Sequence, residues 1–152
     1  MTNKEHLDSL NEQKRQLFID FLNAVQNAGW TVLITQSYRS IAYQNNLHKK
    51  DLRNAIGGLS AHNYGFAIDI NCIKGDIHLK KDTPLKEWYD SGIIAIAKKH
   101  GLRWGGDFKN YYDPVHFDCV KPNLTAKWYN KLKGLYPNDF ETKETNKMDW
   151  QF

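Results

Sequence analysis

The sequence predicts one domain that mixes helices with short strands, and three observations point there. Apolar residues recur at three- and four-residue steps between Leu7 and Ala28, the period of an amphipathic helix. Residues 65–72 and 113–120 instead alternate apolar with polar side chains, the period of a strand packed on one face. A length of 152 residues suits a single hydrophobic core.

Taken in order, Leu10, Leu17, Phe18, Phe21, Leu22, Val25 and Ala28 define one long helix, which Gly29 stops. The β-branched run from Trp30 to Thr35 predicts a strand leading into Gln36-Ser37-Tyr38-Arg39-Ser40. Ser40 is placed to cap a second helix reaching about Arg53. Paired glycines make Ala55 to Ser60 a loop. In the strand at 65–72, Phe66, Ile68, Ile70 and Cys72 share the packed face, while Ala67, Asp69 and Asn71 share the other. Asp82-Thr83-Pro84 opens helical structure that closes at Lys98-Lys99-His100-Gly101, with one helix or two left open. The strand at 113–120 turns Val115, Phe117 and Cys119 inward and puts His116 and Asp118 on the opposite face. A short helix from about Thr125 to Lys133 follows, and a polar tail from 137 to 152 is expected to be loosely held. The division is therefore a domain at 1–136 and a tail at 137–152.

Composition narrows the classes. With 41% hydrophobic and 25% charged residues the chain is neither disordered nor a coiled coil. No apolar run approaches the roughly 20 residues of a membrane span, and the polar first stretch has no secretory layout. If the chain leaves the cytoplasm, the expectation is export by an unrecognised route. The net charge of +4 suits an anionic partner. Its basic residues lie in dispersed pairs and form no continuous stripe, so nucleic acid is not the expected partner. Two cysteines are too few for a zinc ribbon or a disulfide framework. If Asp69 lies opposite His116 on antiparallel strands, Cys72 and Cys119 are too far apart to bridge and stay free thiols.

The chemistry gathers at His62, Asp69, Asp113 and His116. Two imidazoles and one carboxylate are a set that zinc accepts with its fourth position open. His62 enters the first alternating strand, Gly65 bends the chain behind it, and Asp69 sits on the polar face. His116 arrives from the second strand, with Asp113 three residues earlier and before a proline, placed to act as a general base. Such a centre keeps a net charge of about +1, which favours catalysis over a structural role. Arg39, at the mouth of the first strand, is either a carbonyl-polarising cation or an ion-pair partner.

These residues stand in recognisable motifs. Ser60-Ala61-His62-Asn63-Tyr64-Gly65-Phe66-Ala67-Ile68-Asp69 fits S-x-H-x-x-G-x-A-x-D, and Asp113-Pro114-Val115-His116-Phe117 fits D-x-x-H-[FW]. Both resemble the zinc motifs of the D-alanyl-D-alanine carboxypeptidase and L-alanyl-D-glutamate endopeptidase family. Tyr38-Arg39-Ser40 with Gln44 and Leu47, and the stretch 101–107, resemble the same family in the same order, so the likeness runs from about Phe18 to Val120. The resemblance implies an α+β fold with a small, mostly antiparallel sheet, flanking helices and a single zinc site. It implies one Zn²⁺ held by His62, Asp69 and His116, with Asp113 as base and Arg39 polarising the carbonyl. It implies hydrolysis of peptidoglycan stem peptides, and the missing secretory layout then fits a chain that is cytoplasmic until released to the cell wall, as in phage lysins. The expected form is a monomer, and composition gives it no nucleic acid or membrane partner. Trp104-Gly105-Gly106-Asp107, and Asp rather than Glu before His116, look more like the endopeptidase branch of phage lysins and wall hydrolases. The expected bond is therefore L-Ala–D-Glu. A D-Ala-D-Ala carboxypeptidase is the alternative, and a non-catalytic, zinc-stabilised module binding wall peptide is the rival of another class.

The remaining candidates have plainer readings beside the functional one. Ser60, Gln44, Tyr64 and Trp104 are candidate substrate contacts; capping its loop is the plainer reading of Ser60, and filling the core that of both aromatic residues. Asp107 is a turn residue or a hydrogen-bond partner for a ligand imidazole. His6, His48, His78 and His100 read as ordinary polar residues, with His100 a cation at a helix end.

Overall fold

A computed structural model describes residues 1–150. The architecture is α+β. A five-stranded sheet runs in the order β1-β2-β5-β4, with β3 paired to β2, and every pairing is antiparallel. Its strands are β1 (Thr31–Gln36), β2 (Ala67–Lys74), β3 (Ile77–Leu79), β4 (Arg103–Trp104) and β5 (His116–Asp118). The helices are α1 (Asn3–Asp8), α2 (Arg15–Asn27), α3 (Ile41–Lys50), α4 (Leu85–Asp90), α5 (Ile93–Lys99) and α6 (Leu124–Leu135).

The alternation in β2 and β5 decides which way the sheet faces. Ile68, Ile70, Cys72 and Phe117 point to a core closed by Phe18, Phe21 and Val25 of α2 and by Ile93, Ile94 and Ala97 of α5. The other face is left to polar side chains, and a second apolar cluster of Ile41, Tyr64, Phe66, Trp128, Leu132 and Trp150 closes its flank.

Three expectations are corrected. The long helix predicted from Leu7 to Ala28 is two helices, because the backbone between them has tertiary partners that a continuous helix would forbid. Asn11 donates its backbone N–H to the Gly65 carbonyl at 3.0 Å and its side-chain amide to the Met148 carbonyl at 2.8 Å, while Leu10 turns into the core. The helix after Ser40, capped by that hydroxyl as expected, ends at Lys50 and not near Arg53. The third correction concerns looseness in the tail. Trp150 is 3% exposed, packs edge-on against Tyr64 and beside Trp128, and donates its indole N–H to the Thr145 carbonyl at 2.7 Å. Residues 151 and 152 of that predicted tail lie outside the described residues. The stretch left open between Asp82 and Gly101 is two helices, interrupted at Ser91-Gly92. Cys72 and Cys119 are free thiols.

Candidate metal centre

Register assembles the centre. Asp69 stands directly opposite His116 in the β2–β5 pair, so both side chains leave the sheet on its polar face. His62 comes from the 3₁₀ turn Ala61–Tyr64, which Ser60 caps by accepting the His62 N–H. The turn ends at Gly65, whose φ of +76° a side chain rarely adopts and where an added Cβ would stand 2.5 Å from the Asn11 nitrogen. The bend that brings His62 back over β2 therefore requires glycine.

Three donor atoms converge. His62 Nε2 lies 3.1 Å from Asp69 Oδ1 and 3.1 Å from His116 Nδ1, and His116 Nδ1 lies 3.3 Å from Asp69 Oδ1. Nitrogen and oxygen ligands about 2.0 Å from a tetrahedral ion stand about 3.3 Å from one another. Two imidazoles, one carboxylate and this spacing fit a zinc ion. All three residues are buried, and among the described residues they form the one group with metal-binding geometry.

Each imidazole is also held from behind. His62 Nδ1 donates to the Ser37 carbonyl at 2.7 Å, and His116 Nε2 meets Asp118 Oδ2 at 2.8 Å. Such partners fix tautomer and ring orientation. Asp118 is in turn gripped by Arg103, through Nε at 2.7 Å and Nη2 at 2.9 Å. The sequence reading put Asp118 on the face of His116 without giving it this task, although its spacing two residues along one strand was the signal. Ser37 acts through its backbone, which no side-chain pattern reveals.

Burial and charge set the protonation of this cluster. Burial alone would favour a neutral Asp69, but the imidazoles of His62 and His116 hold its carboxyl well below the usual carboxylate range. Burial lowers the pKa of His62. For His116, burial is outweighed by Asp118 and Asp69, which push it up to about 10. Asp118, despite its burial, is brought down to about 2 by His116 and Arg103.

A cavity of about 270 Å³ opens over the centre, lined among others by Arg39, Gln44, Ser60, His62, Asp113 and His116. A larger limb of about 790 Å³ adjoins it, sharing Arg39, Asp113 and Tyr111. Asp113 is anchored by backbone bonds from its N–H to the Gly105 carbonyl and from the His116 N–H to its own carbonyl, both at 3.1 Å. A Cβ at position 105 would stand 2.1 Å from the Asp113 carbonyl oxygen, so only glycine allows this approach. Burial first, and the Asp69 charge second, raise the pKa of the Asp113 carboxyl, the direction that suits a base working near neutral pH.

Arg39 forms the expected ion pair and also lines the cavity. Its Nη2 pairs with Asp69 Oδ2 at 3.2 Å, Nε donates to Gln36 Oε1 at 2.9 Å, and Nη1 donates to Gln44 Oε1 at 3.3 Å. Gln44 is buried and also donates to the Ala55 carbonyl, so it steadies Arg39 from the cleft wall. Two expected substrate contacts are corrected. Tyr64 is fully buried, its hydroxyl donating to the Gly58 carbonyl at 2.7 Å. Trp104 is fully buried too, its indole N–H donating to the Pro114 carbonyl at 2.7 Å. Neither lines either cavity, because large rings with a satisfied polar atom gain most from the core. Asp107 resolves as a surface residue, bonded to Tyr89 and Lys98 and not to an imidazole. His6 is buried against the Ser37 hydroxyl, and His100 caps the end of α5.

Comparison with known proteins agrees with this geometry. A family profile described as D-alanyl-D-alanine carboxypeptidase matches residues 53–119, which contain all three donors and Asp113. The peptidoglycan L-alanyl-D-glutamate endopeptidase CwlK of Bacillus subtilis is 34% identical over 114 residues, a match covering 66% of each protein. Among solved structures, the fold resembles the L-Ala D-Glu endopeptidase ChiX of Serratia marcescens, with a TM-score of 0.54 and 18% identity over 78% of this chain and 86% of that one. It equally resembles the vancomycin resistance D,D-pentapeptidase VanY in complex with Zn(II), with a TM-score of 0.56 and 18% identity over 80% and 78%. With both motifs intact and their side chains meeting at one point, the chain belongs to the D-alanyl-D-alanine carboxypeptidase family of peptidases.

Proposed function

We propose that this chain is a zinc-dependent hydrolase of peptidoglycan stem peptides that cuts between L-alanine and D-glutamate. The observation carrying this reading is the meeting of His62 Nε2, Asp69 Oδ1 and His116 Nδ1 beneath a cleft that Asp113 and Arg39 also line. Bound there, zinc would supply a Lewis acid and bring the pKa of water down towards 7. The remaining work falls to the chain. Asp113, held at the rim by Gly105, takes a proton from the attacking water and passes it to the departing nitrogen. Arg39 has five N–H groups, of which three are engaged by Gln36, Gln44 and Asp69. Two remain to meet the carbonyl oxygen as charge grows on it. Ser60, beside His62 in the cleft wall, is within the same cavity.

The likeness to CwlK favours the L-Ala–D-Glu bond. The family profile and the solved complex of VanYB with D-Alanine-D-Alanine favour trimming of terminal D-alanine as the second reading. Digesting purified muropeptides and weighing the products decides between them. New L-alanine carboxyl and D-glutamate amino ends are expected, and release of free D-alanine instead would overturn the endopeptidase reading.

A further inference from the structure

All but one of the lysines and arginines lining the two cavities have a carboxylate partner. Arg39 pairs with Asp69 at 3.2 Å, Arg53 with Asp51 at 2.7 Å, Lys80 with Asp82 at 4.0 Å and Arg103 with Asp118 at 2.7 Å. Lys81 lines the larger limb together with Asp113 and Tyr112, and among the described residues it forms no ion pair. Its Nζ stands 5.5 Å from the centre of the Tyr111 ring, and the Arg53 guanidinium stands 5.7 Å from the same centre. Tyr111 lines both cavities, so Lys81 belongs to the wall that leads from Asp113 outwards. Contact with Tyr111, opposed by burial and aided by the Asp113 and Asp69 charges, raises the pKa of this ammonium. It is therefore a cation beside the reacting groups that no carboxylate pairs with among the described residues.

We infer that Lys81 anchors a free carboxylate on the leaving-group side of the scissile amide. This rests on the hydrolytic reading above. Asp113 must stand near the nitrogen that departs, because it delivers the proton there, and Lys81 lies on the Asp113 side of the cleft. Both substrate chemistries under consideration carry the matching group. D-Glutamate keeps one of its two carboxylates free when the other continues the peptide, and a terminal D-alanine carries its carboxylate on the carbon bonded to the leaving nitrogen. A lysine ammonium reads such a group as a point charge, and a carboxamide in the same place would meet it far more weakly.

The test compares L-Ala-γ-D-Glu-L-Lys with its D-isoglutamine analogue, and D-Ala-D-Ala with its C-terminal amide, on the zinc-loaded wild type, Lys81→Ala and Lys81→Arg. Lys81→Ala should raise KM for the free carboxylate by about ten- to a hundredfold, consistent with loss of a charged hydrogen bond. It should leave kcat and the amide substrate almost unchanged, and Lys81→Arg should restore most of the loss. The pair that shows the discrimination identifies which carboxylate is read. Equal losses on acid and amide, no loss, or a fall in kcat with a shifted pH profile would overturn the assignment, the last by showing that Lys81 acts through Asp113. Calorimetric binding of γ-D-Glu-L-Lys and of its α-carboxamide separates the two readings. A Lys81-dependent preference for the acid without any hydrolysis would sink the peptidase and keep the subsite. Hydrolysis with no preference would sink the subsite and keep the peptidase.

Discussion

The Asp118 carboxylate holds His116 from behind, Oδ2 standing 2.8 Å from Nε2, while Arg103 grips both of its oxygens. This leaves Nδ1 as the one nitrogen of His116 facing Asp69 and His62. Asp118→Asn keeps the shape and removes the charge that orients the ring. Zinc affinity should fall by about ten- to a hundredfold, read by competition with a calibrated chelator, with the circular dichroism spectrum unchanged. Unaltered affinity would mean that the pair only fastens β5 to β4.

Removing the ion should matter as much as removing a donor. Dialysis against a chelator is expected to abolish hydrolysis and added zinc to restore it, with one ion bound per chain by elemental analysis. His62→Ala should bind less than a tenth of an equivalent under the same conditions, since a set of two donors leaves the ion held by only Asp69 and His116.

Asp113 touches the cleft and donates nothing to the three-atom cluster. Asp113→Ala should lower turnover by about a hundred- to ten-thousandfold while zinc content and peptide affinity stay near the wild-type values. A module that merely binds wall peptide would have no turnover to lose, so the same variant separates the two classes.

Trp150 closes the cluster of Tyr64, Phe66, Trp128 and Leu132. Trp150→Ala should cost about 3–5 kcal/mol, measured by urea unfolding, and a change below about 1 kcal/mol would show that the last residues are dispensable. The loss would reach the metal centre as well, because Tyr64 ends the turn that carries His62.

Burial pushes the thiols of Cys72 and Cys119 up to about 12. A thiol in the unfolded chain titrates near 8.5, so the folded state prefers the neutral form. That contribution is complete below about pH 8.5 and is lost progressively as pH rises towards 12. The urea midpoint should fall between pH 8 and 9.5, and less so in Cys72→Ala. At pH 8 an aromatic disulfide reagent should reach Cys72 only after unfolding.

How much of this was legible beforehand depended on the range of the interaction. The period of two in β2 and β5 already put Asp69 apart from Ile68 and Ile70, and His116 apart from Phe117, before any coordinates. The helix at 7–28 was misread because its apolar spacing continues through Leu10, while the hydrogen bonds that break it go to Gly65 and Met148, far away in the chain. Tyr64 and Trp104 sit within or beside the motifs, and nothing in their neighbours along the chain says that their rings turn away from the cleft.

The sequence by itself determined the donor types, and the strands and faces that carry Asp69 and His116, because alternation and motif spacing are local properties of the chain. Only the tertiary structure decided that Asp118 and the Ser37 carbonyl steady the imidazoles, that Lys81 forms no ion pair among the described residues, and that Trp150 completes a core. Those outcomes depend on which side chains arrive from distant segments to satisfy a buried charge or fill a buried space, and no local pattern encodes that meeting.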